Sequence, residues 1–577
     1  MSYISDENGY ESGGRRITSL LFILLILAII ILVRLFQKSV LENESYLAQA
    51  QSQHRIIEEV PAHRGEILAG SYGSDELYVL STNLSMYAVS VVPKHIQDTD
   101  DVANKLSLKL GIDRNELFEK IKGDEAYLPP IAHKVSMEKA NEIAGLDLDG
   151  VYILPEEWRY YPEGNLASHI IGYVDSEGKG NYGIEGYYDE ELRGDSGAFF
   201  AEKDVKGRYI QVSGKSEPHN GKSLVLTIDR SIQNYIEKLI RESVKKYGAQ
   251  RGEIIIMDPE NGGIIAMAAS EDFDPNNYSK EAEAKSVNIF TNPCIAEAYE
   301  PGSVLKVVTM AAGIDSGSVT PLTEENFPAY VEVQGYKIYT WNKKSHGRQN
   351  MTQVLETSNN VGLVFVQQRM GKETFYNYLK DKFGYGSKMG IDLDTESGGS
   401  MESRQTFRDI NAANVSFGQG IALTSLQLVT SFSAIANQGK LMQPQVVKEI
   451  IETNEYEDKV NKVEPKFVRN VISKESAFII TSMLVSVVEN GYDQSVKIPG
   501  YKIAGKTGTA QIPGPGGYLE DTSIHTFAGF APADDPKFVA VIKLDRPSSS
   551  PWSSDTTTYV FKELASYLFK HYQIKPS

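Results

Sequence analysis

The stretch Tyr299–Met310, which reads Y-E-P-G-S-V-L-K-V-V-T-M, predicts how the middle of the chain is organised. Pro301 and Gly302 interrupt whatever precedes them, and the run that follows is apolar apart from Ser303, Lys306 and one threonine. This pattern is typical of a turn that feeds the first turn of a buried helix. Residues three apart on a helix lie on one face, with Cβ atoms about 5–6 Å apart. The Ser303 hydroxyl and the Lys306 amine can therefore touch, as a nucleophile and a possible base.

The S-x-x-K spacing alone is weak evidence, because it recurs by chance in a chain of this length. It occurs also at Ser136/Lys139, Ser176/Lys179 and Ser243/Lys246. Those three pairs lie in charged or glycine-rich segments, where a lysine is typically a solvated side chain. Only the pair that begins at Ser303 lies in an apolar helix.

Two further sparse motifs follow Ser303 in a fixed order. One S-x-N, Ser358-Asn359-Asn360, lies between Ser303 and the single K-T-G of the chain, Lys506-Thr507-Gly508. A K-T-G on a surface hairpin or an S-N-N in a turn would mean nothing alone. The three motifs together predict one site assembled from three distant parts of the chain.

This motif set resembles the signature S-x-x-K, S-D-N and K-T-G of β-lactamases and penicillin-binding proteins. Nearly everything after the first dozen residues is similar to class B penicillin-binding proteins, which are membrane-anchored peptidoglycan D,D-transpeptidases. The middle motif departs from the signature, since Asn359 stands where the signature has Asp. Four other stretches support the resemblance: L-T-I-D-R-S-I-Q (226–233), M-D-P-E-N-G-G-I-I-A-M (257–267), S-F-G-Q-G-I-A-L-T-S-L-Q (416–427) and K-T-G-T-A-Q (506–511).

The resemblance implies an α/β (α+β) transpeptidase fold, in which helices flank an antiparallel sheet. It also implies an elongated N-terminal pedestal module and one N-terminal transmembrane helix. We therefore expect a cytoplasmic tail (1–14), a transmembrane helix (15–37), a non-catalytic pedestal of the dimerisation type (38–220) and a transpeptidase domain (221–577).

Composition excludes several classes of protein. The 577 residues exceed a single hydrophobic core. The net charge of -18 argues against nucleic acid as a partner, because phosphate binding needs clustered Lys and Arg. The single cysteine, Cys294, allows no intramolecular disulfide and no metal site with several Cys ligands, and a buried apolar role is expected for it.

The segment Ile17–Val33 carries no charge and is rich in Leu and Ile, which predicts a membrane-spanning helix. A cleavable signal is the alternative, but the nearest A-x-A, Ala48-Gln49-Ala50, lies well beyond the apolar run. Basic residues flank the helix on both sides, so the positive-inside rule does not decide its orientation. The resemblance implies a single-pass protein of the plasma (inner) membrane with an extracytoplasmic catalytic domain.

The pedestal segment shows alternating and helical periodicities. Residues 35–59 are predicted as a polar helix, 77–91 as a strand and 98–145 as small helices. Within the family-like stretches, Arg64, Arg159 and Glu185 either form internal ion pairs or are ordinary surface charges. His169 is predicted to be a packed histidine rather than a ligand, and the turns at 213–222 to mark a boundary.

From Leu224 the pattern becomes strand, helix, strand, as in an α/β domain whose antiparallel sheet is completed by distant segments. The predicted strands and helices are 224–229 (strand), 231–247 (helix), 253–258 and 263–268 (a hairpin of central strands), 525–532 and 538–545 (a second hairpin) and 559–572 (a closing helix).

A serine hydroxyl is a poor nucleophile until a neighbouring base removes its proton. Lys306 can act as that base only when neutral, so its pKa must fall well below the usual value of about 10.4. Burial and a second cation, for which Lys506 is the candidate, both lower a lysine pKa. The resemblance implies catalytic roles for Ser303, Lys306, Ser358, Asn360 and Lys506.

In that family-derived scheme, Lys506 and the hydroxyls of Thr507 and Thr509 hold the terminal carboxylate of the substrate. Ser358 passes a proton to the departing D-alanine, and Asn360 holds the amide of the donor peptide. The backbone N–H groups of Ser303 and Thr509 stabilise the oxyanion. Gly508 lets an edge strand approach closely.

The implied reaction crosslinks peptidoglycan stem peptides through a serine acyl-enzyme, and β-lactam antibiotics acylate the same serine. No metal and no organic cofactor is implied. Because the segment 43–221 lacks an E-D-x-x-F-type motif, we expect no glycosyltransferase domain and a partner glycosyltransferase, beside division or elongation proteins. A β-lactamase, a sensor and a scaffold of a wall-building complex are the alternatives, and a division role is favoured over elongation.

Overall fold

The computed structural model of the chain describes residues 9–42, 55–60, 62–123, 125, 128–203, 209–453, 458–514 and 516–576. Its α-helices are α1 Gly9–Phe36, α2 Thr99–Leu110, α3 Arg114–Ile121, α4 Met137–Ala144, α5 Ser168–Ile171, α6 Gly183–Tyr187, α7 Asp189–Arg193, α8 Arg230–Tyr247, α9 Tyr278–Lys285, α10 Pro293–Ala296, α11 Lys306–Asp315, α12 Met351–Glu356, α13 Asn360–Met370, α14 Lys372–Asn377, α15 Asp409–Val415, α16 Ser425–Ala436, α17 Lys474–Asn490 and α18 Thr557–His571.

Its strands are β1 Arg55–Val60, β2 Ile67–Ser71, β3 Ser74–Val91, β4 Ala132–Val135, β5 Val151–Tyr160, β6 Tyr173–Val174, β7 Gly180–Asn181, β8 Gly197–Lys203, β9 Tyr209–Ser216, β10 Ser223–Asp229, β11 Arg251–Met257, β12 Ile264–Ala269, β13 Glu324–Phe327, β14 Tyr330–Val333, β15 Tyr336–Tyr339, β16 Gly347–Asn350, β17 Lys440–Met442, β18 Val447–Thr453, β19 Asp458–Lys462, β20 Phe467–Asn470, β21 Ala504–Gly514, β22 Gly517–Ala531 and β23 Phe538–Asp545.

Among the described residues, one helix is long and apolar enough to cross a membrane, over Thr18–Val40. It comprises most of α1 and continues into the π-helical turn Gln37–Leu41. Because α1 begins at Gly9, residues 9–14 of the predicted tail are helical. A helix that is already nucleated extends at little cost, which explains the earlier start. Residues 1–8 of that tail lie outside the described residues.

The first compact unit comprises residues 1–62 and 195–220. In it, β1 pairs with β8 and β8 with β9, both antiparallel. The polar helix predicted for 35–59 is wrong at 55–59, which belong to β1, because a partner strand distant in sequence supplies backbone hydrogen bonds there. Its part at 43–54 lies outside the described residues. The boundary predicted at 213–222 begins with strand, since β9 ends at Ser216.

The second unit comprises residues 63–194 and 221–577. The predicted boundary between residues 220 and 221 coincides with a passage from the first unit to the second, but residues 63–194, predicted as part of the pedestal, belong to the second unit. Residues 63–194 pack with the C-terminal segment, because strands from both share one sheet. The functional division into pedestal and transpeptidase domain stays a prediction.

That shared sheet has seven strands, in the order β19-β18-β10-β2-β3-β4, with β5 paired to β3. The predicted strand 224–229 is confirmed as β10. It was expected to join the sheet formed with the C-terminal hairpin, but it lies in this seven-stranded sheet instead. It runs parallel to β2 and antiparallel to β18. Local sequence indicates a strand, whereas its partners are chosen by long-range pairing. The strand predicted at 77–91 and the helices predicted within 98–145 are present.

The sheet that carries the K-T-G strand has five antiparallel strands, in the order β12-β11-β23-β22-β21. Segments that end at residue 269 and resume at residue 504 therefore complete one sheet, as the pattern predicted. Both predicted hairpins form, as does the closing helix α18. The description of 263–268 as a central strand is wrong, because β12 lies at one edge of the sheet.

Helices cover both faces of this sheet, and successive residues of its strands point into two different cores. Ile254 and Ile256 pack with α8 and α18, whereas Ile255 and Met257 face the larger core that contains α11 and α16. This alternation is the period of two of a strand. It explains why β11 is apolar on both faces although the sheet is antiparallel.

Both residues singled out as packed rather than reactive are buried. Cys294 has no exposed surface, and burial raises the pKa of its thiol well above the usual value. His169 is buried, and its Nε2 lies 2.8 Å from the carbonyl oxygen of Ile289.

A buried ion-pair cluster joins the pedestal segments. Glu185, with no exposed surface, lies 2.7 Å from nitrogens of both Arg64 and Arg159. Ser81 donates a hydrogen bond to the same carboxylate at 2.9 Å. Burial would raise the pKa of Glu185, but the charges of Arg159 and Arg64 outweigh it and lower the pKa. The sequence left two interpretations of these residues open, internal ion pairs or ordinary surface charges. The structure confirms the internal ion pairs.

Glu185→Ala should lower the free energy of unfolding by about 3–5 kcal/mol, because it removes the carboxylate that pairs with the buried Arg159 and leaves the buried Arg64 with Asp189 as its remaining counter-ion. Urea unfolding of the detergent-solubilised chain, followed by tryptophan fluorescence, measures this loss. The control is Glu190→Ala, an exposed acid on the neighbouring helix, which should change the free energy by less than about 0.5 kcal/mol. Equal effects of the two substitutions would show that the cluster contributes nothing.

Candidate active site

Ser303 lies in a 3₁₀ turn, Gly302–Leu305, immediately before α11. The predicted turn and buried helix are present, although the pair Ser303 and Lys306 spans the junction of a 3₁₀ turn and an α-helix rather than one α-helix. On the other side, β21 is the edge strand. A Cβ at Gly508 would lie 2.7 Å from the carbonyl oxygen of Pro301, so only glycine lets β21 approach the turn this closely.

Lys306 is completely buried, and its ammonium group is bound by the Ser358 motif. Nζ donates to the carbonyl oxygen of Ser358 at 2.6 Å, to Ser358 Oγ at 3.0 Å and to Asn360 Oδ1 at 2.6 Å. These three bonds use all three ammonium protons. The contact expected between Ser303 Oγ and Lys306 Nζ is not among the hydrogen bonds of the described residues.

The Ser358-Asn359-Asn360 motif is held in shape by a helix cap. Asn359 is fully buried, its Oδ1 accepts from the Gly362 N–H at 3.3 Å, and its Nδ2 donates to Gln349 Oε1 at 3.0 Å. It is the N-cap of α13, a position where Asn and Asp serve equally. The departure from the S-D-N signature therefore preserves the cap. Ser358 has φ of 51°, a left-handed conformation that this tight turn imposes.

Lys506 lies on β21 and is buried as well. Its Nζ donates to the carbonyl oxygen and to Oγ1 of Thr507, at 3.2 and 3.3 Å. Burial lowers the pKa of Lys306 well below its usual value, and the positive charge of Lys506 lowers it further. Both causes expected from the sequence operate, and together they favour the neutral amine that a general base needs.

The two threonines of the K-T-G-T segment differ in their partners. Thr507 Oγ1 donates to Asp493 Oδ1 at 2.6 Å, so its proton is committed within the protein. Thr509 Oγ1 lies 2.9 Å from Ser553 Oγ and accepts from the Ser553 N–H at 3.2 Å. In this arrangement Thr509 can offer its hydroxyl proton to a ligand, whereas the Thr507 hydroxyl, expected to bind substrate carboxylate, cannot.

A cavity of about 220 Å³ brings the predicted residues together, and an adjoining groove of about 930 Å³ continues from it. Ser303 and Thr509 line both spaces, and Asn360 lines the groove. The remaining cavity walls are Ser358, Lys506, Thr507, Trp341, Tyr492, Trp552, Ser553 and Ser554. Within the described part of the chain, no group of His, Cys, Asp and Glu side chains is suited to hold a metal ion.

The sequence analysis did not identify the aromatic residues that line the cavity, Trp341, Tyr492 and Trp552. It also did not identify Asp493, which contacts Thr507. The ring of Trp341 lies edge-on to those of Tyr492 and Trp552, with centroids 5.6 and 5.4 Å apart. These rings come from three separate loops, so no periodicity could indicate them. Asp493 stands in E-N-G-Y-D-Q-S, which is indistinguishable from an ordinary turn.

The family described as the penicillin binding protein transpeptidase domain matches residues 252–566, more than half of the chain. The chain belongs to this family. The penicillin-binding protein dimerisation domain matches residues 59–226.

Individual relatives match over most of the chain. Stage V sporulation protein D of Bacillus subtilis is 34% identical over 82% of this chain and 73% of its own length. Peptidoglycan D,D-transpeptidase FtsI of Buchnera aphidicola is 28% identical over 97% and 96%. The crystal structure of penicillin binding protein 3 from Mycobacterium tuberculosis, complexed with aztreonam, has a TM-score of 0.69 and 26% identity, covering 90% of this chain and 98% of that chain. The expected transpeptidase fold is therefore confirmed.

The pH dependence of acylation by a fluorescent penicillin tests the coupling of the two lysines. A general base must be neutral, so the rate should rise with pH through the pKa of Lys306. Lys506→Met removes the neighbouring positive charge, which raises that pKa and moves the rising limb to higher pH.

Two variants serve as controls for this shift. Lys343→Met removes an exposed lysine of the adjoining groove and should leave the rising limb in place. His346→Gln removes an imidazole whose pKa is lowered by burial and by Lys306, so it shows whether that ring causes the limb. An unmoved limb in Lys506→Met would contradict the coupling.

Proposed function

We propose that this chain is a peptidoglycan D,D-transpeptidase that crosslinks stem peptides through an acyl-enzyme on Ser303. One observation supports this most strongly: three motifs distant in sequence line one cavity, where a serine lies near a buried lysine whose pKa is lowered. Family membership and the names of the relatives support the same reaction class.

In the first step, neutral Lys306 accepts the proton of Ser303 as Oγ attacks the carbonyl carbon of a D-Ala-D-Ala peptide bond. The resulting oxyanion is stabilised by the backbone N–H groups of Ser303 and Thr509. The C–N bond then breaks, and the departing D-alanine takes a proton relayed by Ser358. The Lys306–Ser358 hydrogen bond of 3.0 Å provides the path for that proton.

In the second step, an amine from a neighbouring stem peptide attacks the acyl carbonyl carbon and the C–O bond to Ser303 breaks. The proton that the amine loses returns to Ser303 Oγ. A β-lactam acylates the same serine, but its opened ring stays attached to the acyl group. No metal and no organic cofactor takes part in this scheme.

Binding of the donor peptide is assigned to both sides of the cavity. Lys506 and the Thr509 hydroxyl hold the terminal carboxylate, and Asn360 holds a peptide amide. One proton of Asn360 Nδ2 is donated to the Tyr339 carbonyl oxygen at 3.0 Å, and the other is available to substrate. The position of Asn360 in the groove agrees with this role.

The proposed cellular setting is supported by α1 and by the relatives. We assign α1 as a single-pass anchor of the plasma membrane, with the cavity on the extracytoplasmic side where peptidoglycan lies. Relatives named FtsI support a role in cell division over one in elongation. Glycan polymerisation would come from a partner glycosyltransferase in a division complex.

Ser303→Ala should abolish labelling by penicillin and lower crosslinking by at least about 10³-fold, because the nucleophile is lost. Intact-protein mass spectrometry of the wild type should show one penicillin adduct, and peptide mapping should locate it on Ser303. Ser554→Ala is the matched control, since it removes another hydroxyl of the same cavity and should leave labelling unchanged. Continued labelling of Ser303→Ala would refute the assignment. A chain that is mainly a scaffold would keep its cellular role in Ser303→Ala.

A further inference from the structure

Asp493 is a buried carboxylate behind the K-T-G strand that the reaction scheme does not use. It follows α17 and precedes the 3₁₀ turn Gln494–Val496, and it has no exposed surface. Its Oδ1 accepts from Thr507 Oγ1 at 2.6 Å, and its Oδ2 accepts from the Thr507 N–H at 3.0 Å. Oδ2 also lies 3.7 Å from Lys506 Nζ.

Capping of the following turn does not explain this carboxylate. An aspartate before a helical turn usually accepts hydrogen bonds from the first N–H groups of that turn. Here the side chain makes no cap hydrogen bond, and only the backbone carbonyl of Asp493 accepts from Val496 N–H, at 3.1 Å. Both carboxylate oxygens contact the K-T-G strand instead.

The direction of each hydrogen bond follows from the acceptor character of the carboxylate. An ionised Asp only accepts, so the Thr507 hydroxyl must donate to it. The lone pairs of Thr507 Oγ1 then face Lys506, whose Nζ donates to them at 3.3 Å. Asp493 therefore determines which way the Thr507 hydroxyl points, and through it one of the bonds that hold the Lys506 ammonium.

We infer that Asp493 is a positioning residue that fixes Lys506 and the Thr507 hydroxyl, so that the ammonium is ready to receive the carboxylate of substrate or β-lactam. This inference rests on the proposed function and adds a residue to its carboxylate-binding subsite. Without Asp493, Thr507 Oγ1 is free to rotate its proton toward Lys506, which removes an acceptor of the ammonium. Lys506 also loses the negative charge beside it in a buried site.

The test compares a penicillin with its methyl ester, because only the free acid presents a carboxylate to Lys506. In the wild type the acid should acylate Ser303 much faster than the ester. Asp493→Asn keeps the shape of the side chain but offers one acceptor oxygen in place of two. We expect the ratio of acid to ester acylation rates to fall about tenfold, the usual size for a lost charged contact, with the ester rate within about twofold of the wild type.

Asp392→Asn is the matched control for replacing a carboxylate that accepts several hydrogen bonds, and Asp392 is half-buried. Asp392 accepts from the Tyr188 hydroxyl and from the N–H groups of Val446 and Val447, so it has the same kinds of donor. It does not line the cavity that contains Ser303. The acid-to-ester ratio of this variant should equal that of the wild type.

Thr507→Val tests the same contact if Asp493→Asn does not fold, since it removes the hydroxyl that Asp493 orients. It should reproduce the fall in the ratio, and the double variant should lose no more than either single variant. An unchanged ratio would overturn the inference, whether both rates stay at the wild-type level or acid and ester slow equally, as a merely structural role of Asp493 predicts. Both results differ from failure of the proposed function, in which the wild type itself forms no adduct on Ser303.

Discussion

The burial of Lys306 is the constraint on which the rest of the site depends. An ammonium group taken out of water is costly unless it finds hydrogen-bond partners or loses its proton. The structure provides both routes, because Ser358 and Asn360 supply acceptors while burial and Lys506 lower the pKa. The same lysine can therefore exist as an ammonium group bound by Ser358 and Asn360, or as the neutral amine that a general base needs.

The architecture of the sheet brings a second cation, Lys506, close to that lysine. Lys506 stands on the edge strand of a sheet whose other strands come from residues 251–269 and 517–545. Gly508 lets this edge lie against the turn of Ser303, and helices on both faces of the sheet hold the edge in place. Two like charges in one buried site raise the energy of the folded state. Asp493 offsets part of that cost, since its carboxylate lies beside Lys506.

A buried charge is also compensated by its neighbours in the pedestal segments. Glu185 is completely buried, yet it is ionised because two guanidinium groups and a hydroxyl surround it. Its partners come from segments far apart in the chain, so the cluster ties the strands of the pedestal together. The parallel pairing of β10 with β2 joins these segments to the C-terminal part of the chain, which explains why they form one compact unit.

The sequence by itself determined the features that are local: the apolar N-terminal helix, the two hairpins of the sheet, the three motifs and their order, and the need for a lowered lysine pKa. Each of these features depends on residues that are close together along the chain. Only the tertiary structure decided that β10 joins the other sheet, that Thr507 donates to Asp493, and that the Lys306 ammonium contacts Ser358 rather than Ser303. The direction of a hydrogen bond depends on an acceptor that folding brings from a distant part of the chain. No spacing in the sequence indicates that direction.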